Sequence, residues 1–303
     1  MKFIKIIFTN IFITLSLIGI LLLTPPFVYT IGKGIKDIAP DSRSKLKLYS
    51  KYEWANTHFV EFNGLLTTYY DYFVWRRDDF KGNTINIDNG LRKTMNNIQS
   101  DPLNSQTWFF GGSTTWGTGV NDDFTYPSIF AKKTNDFVIN FGESGYIARQ
   151  SLAYLQNYLI HNNIKDMSGI KVIFYDGIND VIHRCRVDNT GLASVRQSQI
   201  QKNITHHFST LGFRRTFGQV ENFIQRIITK YKKFTDEFYN CDSSVSRAKE
   251  IANSLVETWG IVSELVESRG GEFVVILQPV SYIGNANIDY LNFWWIGMPK
   301  LAK

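Results

Sequence analysis

The sequence predicts an α/β protein: a parallel sheet covered by helices on both faces, in three layers. Three observations point there. Four short apolar runs recur, at residues 107–110, 137–141, 171–175 and 273–277, each of strand length. Helical periodicity fills the intervals, at 126–133, 148–161 and 246–268. Each apolar run is followed within two residues by Gly, Asp or Pro, residues that end strands. Apolar strands alternating with helices must be buried on both faces, which is the parallel α/β arrangement.

The elements follow in chain order. Ile6 to Ile31 carries no charge, and Ile6 to Leu23 is nearly all Ile, Leu, Phe and Thr. A helix needs about 20 apolar residues to cross the hydrocarbon core, and Pro25-Pro26 would end it. The exit lacks an Ala-x-Ala-like cleavage site, so residues 1–31 are expected to be an uncleaved transmembrane anchor. Lys33, Lys36, Arg43, Lys45 and Lys47 after the span favour a cytoplasmic domain by the positive-inside count, a rule that weakens for long translocated domains.

Residues 32–104 read as a connector packing on the main domain. Within it Ser42 to about Leu66 predicts a helix with an Asp41/Ser42 cap, an aromatic then charged run follows from Tyr69, and Thr84–Asp88 alternates as a short strand. Residues 105–303 form the main domain. Its first strand (Thr107–Phe110) ends in Gly111-Gly112, and Tyr126–Lys133 is helical. Phe137–Phe141 is the second strand, followed by a helix over Ala148–His161 with Leu152, Leu155 and Leu159 on one face. Lys171–Tyr175 is the third strand. The stretch from Val181 to Asp242 is less regular, with a helix near Gln219–Phe234. Ser246–Ser268 is a long amphipathic helix closed by Gly270-Gly271, and Phe273–Leu277 is the fourth strand. No fifth strand follows, so the sheet is expected to be incomplete at its C-terminal edge.

Composition removes several classes. At 44% hydrophobic and 20% charged the 303-residue chain is not disordered. Its net charge of +6 is scattered with no Lys/Arg block, so no nucleic-acid groove is expected. There is no H-E-x-x-H and no paired-cysteine spacing, so neither a metal nor another cofactor is expected. Cys185 and Cys241 flank the irregular stretch; they are either two unpaired thiols or one bridge pinning it, and a bridge would fit an oxidising compartment.

Ligands of parallel sheets sit at the carboxyl ends of the strands. There stand Gly111-Gly112-Ser113-Thr114-Thr115-Trp116-Gly117, then Asn140-Phe141-Gly142-Glu143-Ser144-Gly145, then Asp176-Gly177-Ile178-Asn179-Asp180, then Gln278-Pro279. Singly these are turn and cap signatures. Together they offer a hydroxyl, an unobstructed glycine N–H and a side-chain amide, the set that acyl transfer requires. A P-loop is excluded because Thr118 occupies the lysine position, and a G-x-S-x-G elbow because Thr115 replaces its last glycine.

In these blocks the chain resembles the SGNH (GDSL-like) hydrolase family, from about Trp108 to Pro279. The Tyr175–Asp180 wording and Trp75-Arg76 are similar to membrane-anchored bacterial members. The resemblance implies a flavodoxin-like α/β/α fold with Ser113 as nucleophile, and an oxyanion hole of the Ser113 amide, Gly145 and the Asn179 side chain. The family's Asp-x-x-His block, which supplies the general base, has no counterpart after the fourth strand: no histidine follows His207. Asp180-Val181-Ile182-His183 spells that pattern directly after the third block. His183 is there ordinarily a structural or solvated histidine, and a general base is the sharper alternative. His206-His207 lies in the irregular stretch.

The implied function is a serine esterase or acyl hydrolase acting on acyl esters, with an O-acylated cell-envelope carbohydrate as the substrate class. The alternatives are a catalytically inactive, membrane-anchored binding or scaffold protein that keeps the pocket, or a truncated enzyme. The single anchor, the cysteine pair and the envelope role that the resemblance implies lead to the expectation that the main domain lies outside the cytoplasm. Phe293-Trp294-Trp295 reads as core or as a sugar-stacking platform.

Overall fold

The computed structural model describes residues 10–14, 16, 41–96, 100–101, 103, 105–134, 136–186, 192, 194, 197, 200, 240–241 and 243–279. The chain divides into two units. One is Met1–Pro40 with Asn203–Thr235; the other is Asp41–Lys202 with Asp236–Lys303. Of the first unit only 10–14 and 16 are described, and all are helical. Among the described residues no helix is long and apolar enough to cross a membrane. The rest of the expected anchor lies outside them, as do the helix expected near Gln219–Phe234, the His206-His207 pair, the Phe293–Trp295 run and everything beyond Pro279.

The second unit holds a seven-stranded sheet and a small hairpin. In chain order come α1 (Trp54–Gly64), β1 (Thr67–Tyr70), β2 (Val74–Arg77), β3 (Phe80–Lys81), β4 (Asn86–Asp88), β5 (Leu91–Arg92) and β6 (Gln106–Gly111). Then follow the single turn α2 (Ser113–Trp116), α3 (Tyr126–Lys133), β7 (Phe137–Asn140), α4 (Ala148–His161), β8 (Ile170–Asp176), α5 (Ile178–Arg184), α6 (Val245–Glu267) and β9 (Glu272–Leu277). β1 and β2 pair as an antiparallel ribbon of their own, and the large sheet runs β3-β4-β5-β7-β6-β8-β9.

The four strands expected from the apolar runs, β6 to β9, are mutually parallel. Counted in chain order they stand 2-1-3-4, the flavodoxin-like doubly wound order. The sheet as a whole is mixed, which corrects the all-parallel expectation: β3, β4 and β5 extend one edge antiparallel, Arg92 pairing with Asn140. Of these, β4 falls within the alternating stretch Thr84–Asp88 expected as a short strand, whereas β3 and β5, two residues each, are too short for period-two alternation to register.

The faces separate by strand alternation. Trp108, Phe110, Val172 and Phe174 join Leu155 and Leu159 of α4 and Val262 and Val266 of α6 in one cluster, with the Phe110 and Phe141 rings stacked at 4.6 Å. Phe109, Val138 and Ile173 point the other way, onto Ala131 and Phe130 of α3. Helices on both faces make the three layers. α3 starts on a sequence-legible cap, Thr125 Oγ1 accepting from the Ser128 N–H at 3.2 Å, with Pro127 in its first turn.

The expected helix over Ser42–Leu66 is replaced by two 3-10 turns, Ser42–Lys45 and Lys47–Tyr49, and then α1. Asp41 does cap, accepting from the Arg43 N–H at 2.8 Å, but the Ser44 and Ser50 hydroxyls donate to carbonyls three residues back and favour tight turns. Cys185 and Cys241 form a disulfide with Cα atoms 5.2 Å apart, which settles the open alternative in favour of the bridge.

Candidate active site

Ser113, Gly145 and Asn179 come from three different strand ends, and the fold gathers them. Ser113 opens the turn α2 directly after β6, Gly145 lies in the loop after β7, and Asn179 sits in the first turn of α5 after β8. β6 and β8 are the neighbours at which the strand order reverses, where doubly wound sheets hold their ligands. All three residues are half-buried.

Gly112 is the point of contact. The Asn179 amide lies so close to it that a Cβ at position 112 would collide with Nδ2, and the Tyr146 carbonyl stands beside the same spot. Asn179 Nδ2 donates to that Tyr146 carbonyl at 2.8 Å. One amide hydrogen of Asn179 thus ties α5 to the Gly145 loop, and the other has no acceptor among the described residues. Asn140 makes a second tie: its Nδ2 donates to the Thr115 carbonyl at 2.9 Å, and its Oδ1 accepts from the Gly142 N–H at 3.0 Å. The fourth strand end closes the rim, Gln278 Nε2 donating to Thr114 Oγ1 at 2.8 Å.

The loop after β7 is the most informative stretch. The N–H of Phe141 donates to the Phe109 carbonyl, that of Glu143 to the Gly111 carbonyl, and that of Tyr146 to the Glu143 carbonyl. The Ser144 N–H donates to Glu143 Oε1 at 2.7 Å and the Ile147 N–H to Gln150 Oε1 at 3.3 Å. From Phe141 to Ile147 only the Gly145 N–H donates to nothing among the described residues. The Glu143–Tyr146 bond closes a four-residue turn whose third residue, Gly145, has φ +83°. A turn of that form needs glycine there, and the absent side chain leaves the N–H approachable. The Ser113 N–H opens a helical turn and so has no intrahelical acceptor.

The histidines are less well placed. His183 lies in α5, one helical turn after Asn179. Burial, and then the nearby Arg186 charge, push its pKa down to about 4, so it is neutral but weakly basic at pH 7. No hydrogen bond joins Ser113 Oγ to a histidine among the described residues. His58 is buried in α1, accepting from the Gly119 N–H at 3.2 Å, and burial lowers it also to about 4. No group of metal-ligating side chains occurs among the described residues.

Two features escaped the sequence reading. One is the anchoring of the Gly145 loop by β2. Arg76 and Arg77 are both buried there, and two charges inside an aromatic run were the signal that could have found them. The other is Asp176, the last residue of β8, whose Oδ2 is buried with no partner among the described residues. Burial, reinforced by the Asp180 charge, holds its carboxyl well above the usual carboxylate range. Asp180 is pushed by burial up to about 6, although Arg184 lies 3.0 Å away and the Ala148 N–H donates to it at 3.0 Å.

A carboxyl whose pKa rises on folding is protonated in the folded chain at a pH where the unfolded chain has released that proton. Its stabilisation is complete below the unfolded value near 3.8 and is lost as pH rises through the raised value. Asp176→Asn should therefore match the parent in urea melts near pH 4 and exceed it increasingly as pH rises above that. Parallel stability curves for the two proteins would contradict this.

No protein-family profile and no curated protein matches the chain. Solved structures similar to part of it include two from Bacteroides. One is a candidate acylhydrolase from Bacteroides fragilis, 16% identical over 58% of this chain and 70% of that one, with a TM-score of 0.24. The other is a GDSL-like lipase from Bacteroides thetaiotaomicron, 16% identical over 59% of this chain and 72% of that one, with a TM-score of 0.25. The chemistry rests on the chain's own geometry.

Proposed function

We propose that this chain is a serine acyl hydrolase of SGNH type. The observation that carries the reading is the unengaged Gly145 N–H, held in a loop that the Asn179 amide joins directly and that reaches Ser113 through Gly112. Ser113 Oγ attacks the ester carbonyl, and the negative charge that develops on the carbonyl oxygen is met by the Ser113 and Gly145 amides and the second Asn179 amide hydrogen. The alcohol leaves, and water then releases the acid from Ser113. The substrate class is an acyl ester, with an O-acylated carbohydrate of the cell envelope as the natural form. The Cys185–Cys241 bridge favours an oxidising compartment, in keeping with a domain outside the cytoplasm held to the membrane by residues 1–31. No cofactor and no nucleic acid enter this scheme.

One observation favours a second reading. Deprotonating Ser113 requires a base, and none is hydrogen-bonded to it among the described residues. A chain that keeps the pocket without the base would bind acylated ligands and not turn them over. Assaying the full chain on a small acetyl ester and on an O-acetylated oligosaccharide separates the two. Turnover that disappears in Ser113→Ala supports the hydrolase; binding of the oligosaccharide with no turnover supports the second reading.

A further inference from the structure

The Gly145 loop is held by a strand from outside the three site blocks. Arg76 of β2 is fully buried, and its guanidinium gives its hydrogen bonds to backbone carbonyls: Nη1 donates to Phe141 at 2.9 Å and to Gly142 at 3.1 Å, and Nη2 to Gly90. Its ring partner is Tyr154, 4.5 Å below the guanidinium carbon. The loop's carboxylate goes mainly to the neighbouring arginine: Arg77 Nε stands 3.3 Å from Glu143 Oε1 and the Arg77 N–H donates to Glu143 Oε2 at 3.0 Å, whereas Arg76 is 4.0 Å from Glu143. The Tyr146 hydroxyl donates to the Trp75 carbonyl, and Arg77 Nη2 donates to Ser144 Oγ at 3.1 Å.

These bonds divide the work. The peptide planes Phe141–Gly142 and Gly142–Glu143 are held on their amide sides by Asn140 and Gly111 and, among the described residues, on their carbonyl sides by Arg76. They lead directly into the turn that leaves the Gly145 N–H unengaged. Burying a guanidinium is costly unless its bonds are well made, and here two of them fix adjacent planes of one loop. Nη1 holds both loop carbonyls while Nη2 holds Gly90, so one rigid plane fixes three carbonyls, which a lysine ammonium on a flexible stem cannot do with the same geometry.

We propose that Arg76 is a positioning residue of this site, setting the orientation of the Gly145 N–H through the Phe141 and Gly142 carbonyls. The inference rests on the hydrolase reading above. Its consequence is selective. A misdirected Gly145 amide weakens binding of the oxyanion, which exists only in the transition state, and leaves ground-state ester binding in place.

The test uses the full chain, with Arg76→Lys and Arg76→Gln as the variants. The glutamine removes the buried charge, and Glu143 keeps Arg77 in either case. Each is measured per folded molecule, after its melting curve, for kcat and KM on an acetyl ester and for affinity towards a boronic acid that forms a tetrahedral adduct with serine. The expected result is a fall in kcat of up to about 10²-fold, the scale of a displacement of roughly 1 Å, with KM within about threefold. Boronate affinity should fall in parallel with kcat. A folded variant with unchanged kcat and boronate affinity would overturn the inference and leave the hydrolase reading intact. So would failure of both variants to fold, since Arg76 would then be a purely structural residue. A parent protein no more active than Ser113→Ala would overturn the hydrolase reading itself, and the inference with it.

Discussion

Ser113→Ala is expected to lower ester turnover by about 10⁴-fold or more, to the level set by the remaining donors. The hydroxyl is half-buried at the first position of α2, and no hydrogen bond among the described residues depends on it, so its removal should leave the fold unchanged. The substituted protein should melt with the parent and still bind substrate, because the donors around the carbonyl are all retained. Turnover in Ser113→Ala above about one per cent of the parent would show that another group performs the attack.

Asn179→Ala is expected to reduce kcat by about 10²–10³, or roughly 3–4 kcal/mol, the usual loss for one oxyanion donor. KM should change little, since the amide meets a charge that develops only in the transition state. Asn179 also ties the Tyr146 carbonyl at 2.8 Å, so a structural contribution of about 1 kcal/mol is expected beside the catalytic one. Melting temperature measured with kcat separates them. A variant whose activity loss follows its folded fraction would reduce Asn179 to a turn-closing residue.

The four parallel strands and the three larger helices of the main domain could be read from the sequence. Their residues are buried on both faces or along one stripe, and burial imposes a period that local pattern records: the residues alternating between 108/110 and 109 enter different cores. Of the edge strands, β4 lies within the alternating stretch Thr84–Asp88, whereas β3 and β5 could not be read, because two residues carry no period and this edge joins the parallel strands only where Arg92 pairs with Asn140, far along the chain. The helix expected from Ser42 failed for a local reason, since serine hydroxyls competing for backbone carbonyls are a choice that propensity leaves open.

For the site, the three residues were legible from their order at strand ends. Their contact across Gly112 was not, since it depends on how closely α5 approaches α2. Arg76 stood out in the sequence, but its attachment to a loop some 65 residues away did not, since that is a product of tertiary structure. His183 illustrates the opposite case. The pattern Asp-x-x-His is present in the sequence, yet burial lowers that imidazole to about 4 and leaves it a poor match for a general base.

The central claim is that Ser113 stands as a nucleophile within reach of the Gly145 and Asn179 donors. Prolonged incubation of the full chain with a serine-directed fluorophosphonate, followed by intact mass and peptide mapping, tests it most directly, because the tetrahedral adduct places a polarised phosphoryl oxygen where the oxyanion would sit. The account expects one adduct, on the peptide carrying Ser113, absent from Ser113→Ala and formed more slowly in Asn179→Ala. An adduct on a different residue, or a parent protein that gains no mass at all, would contradict it.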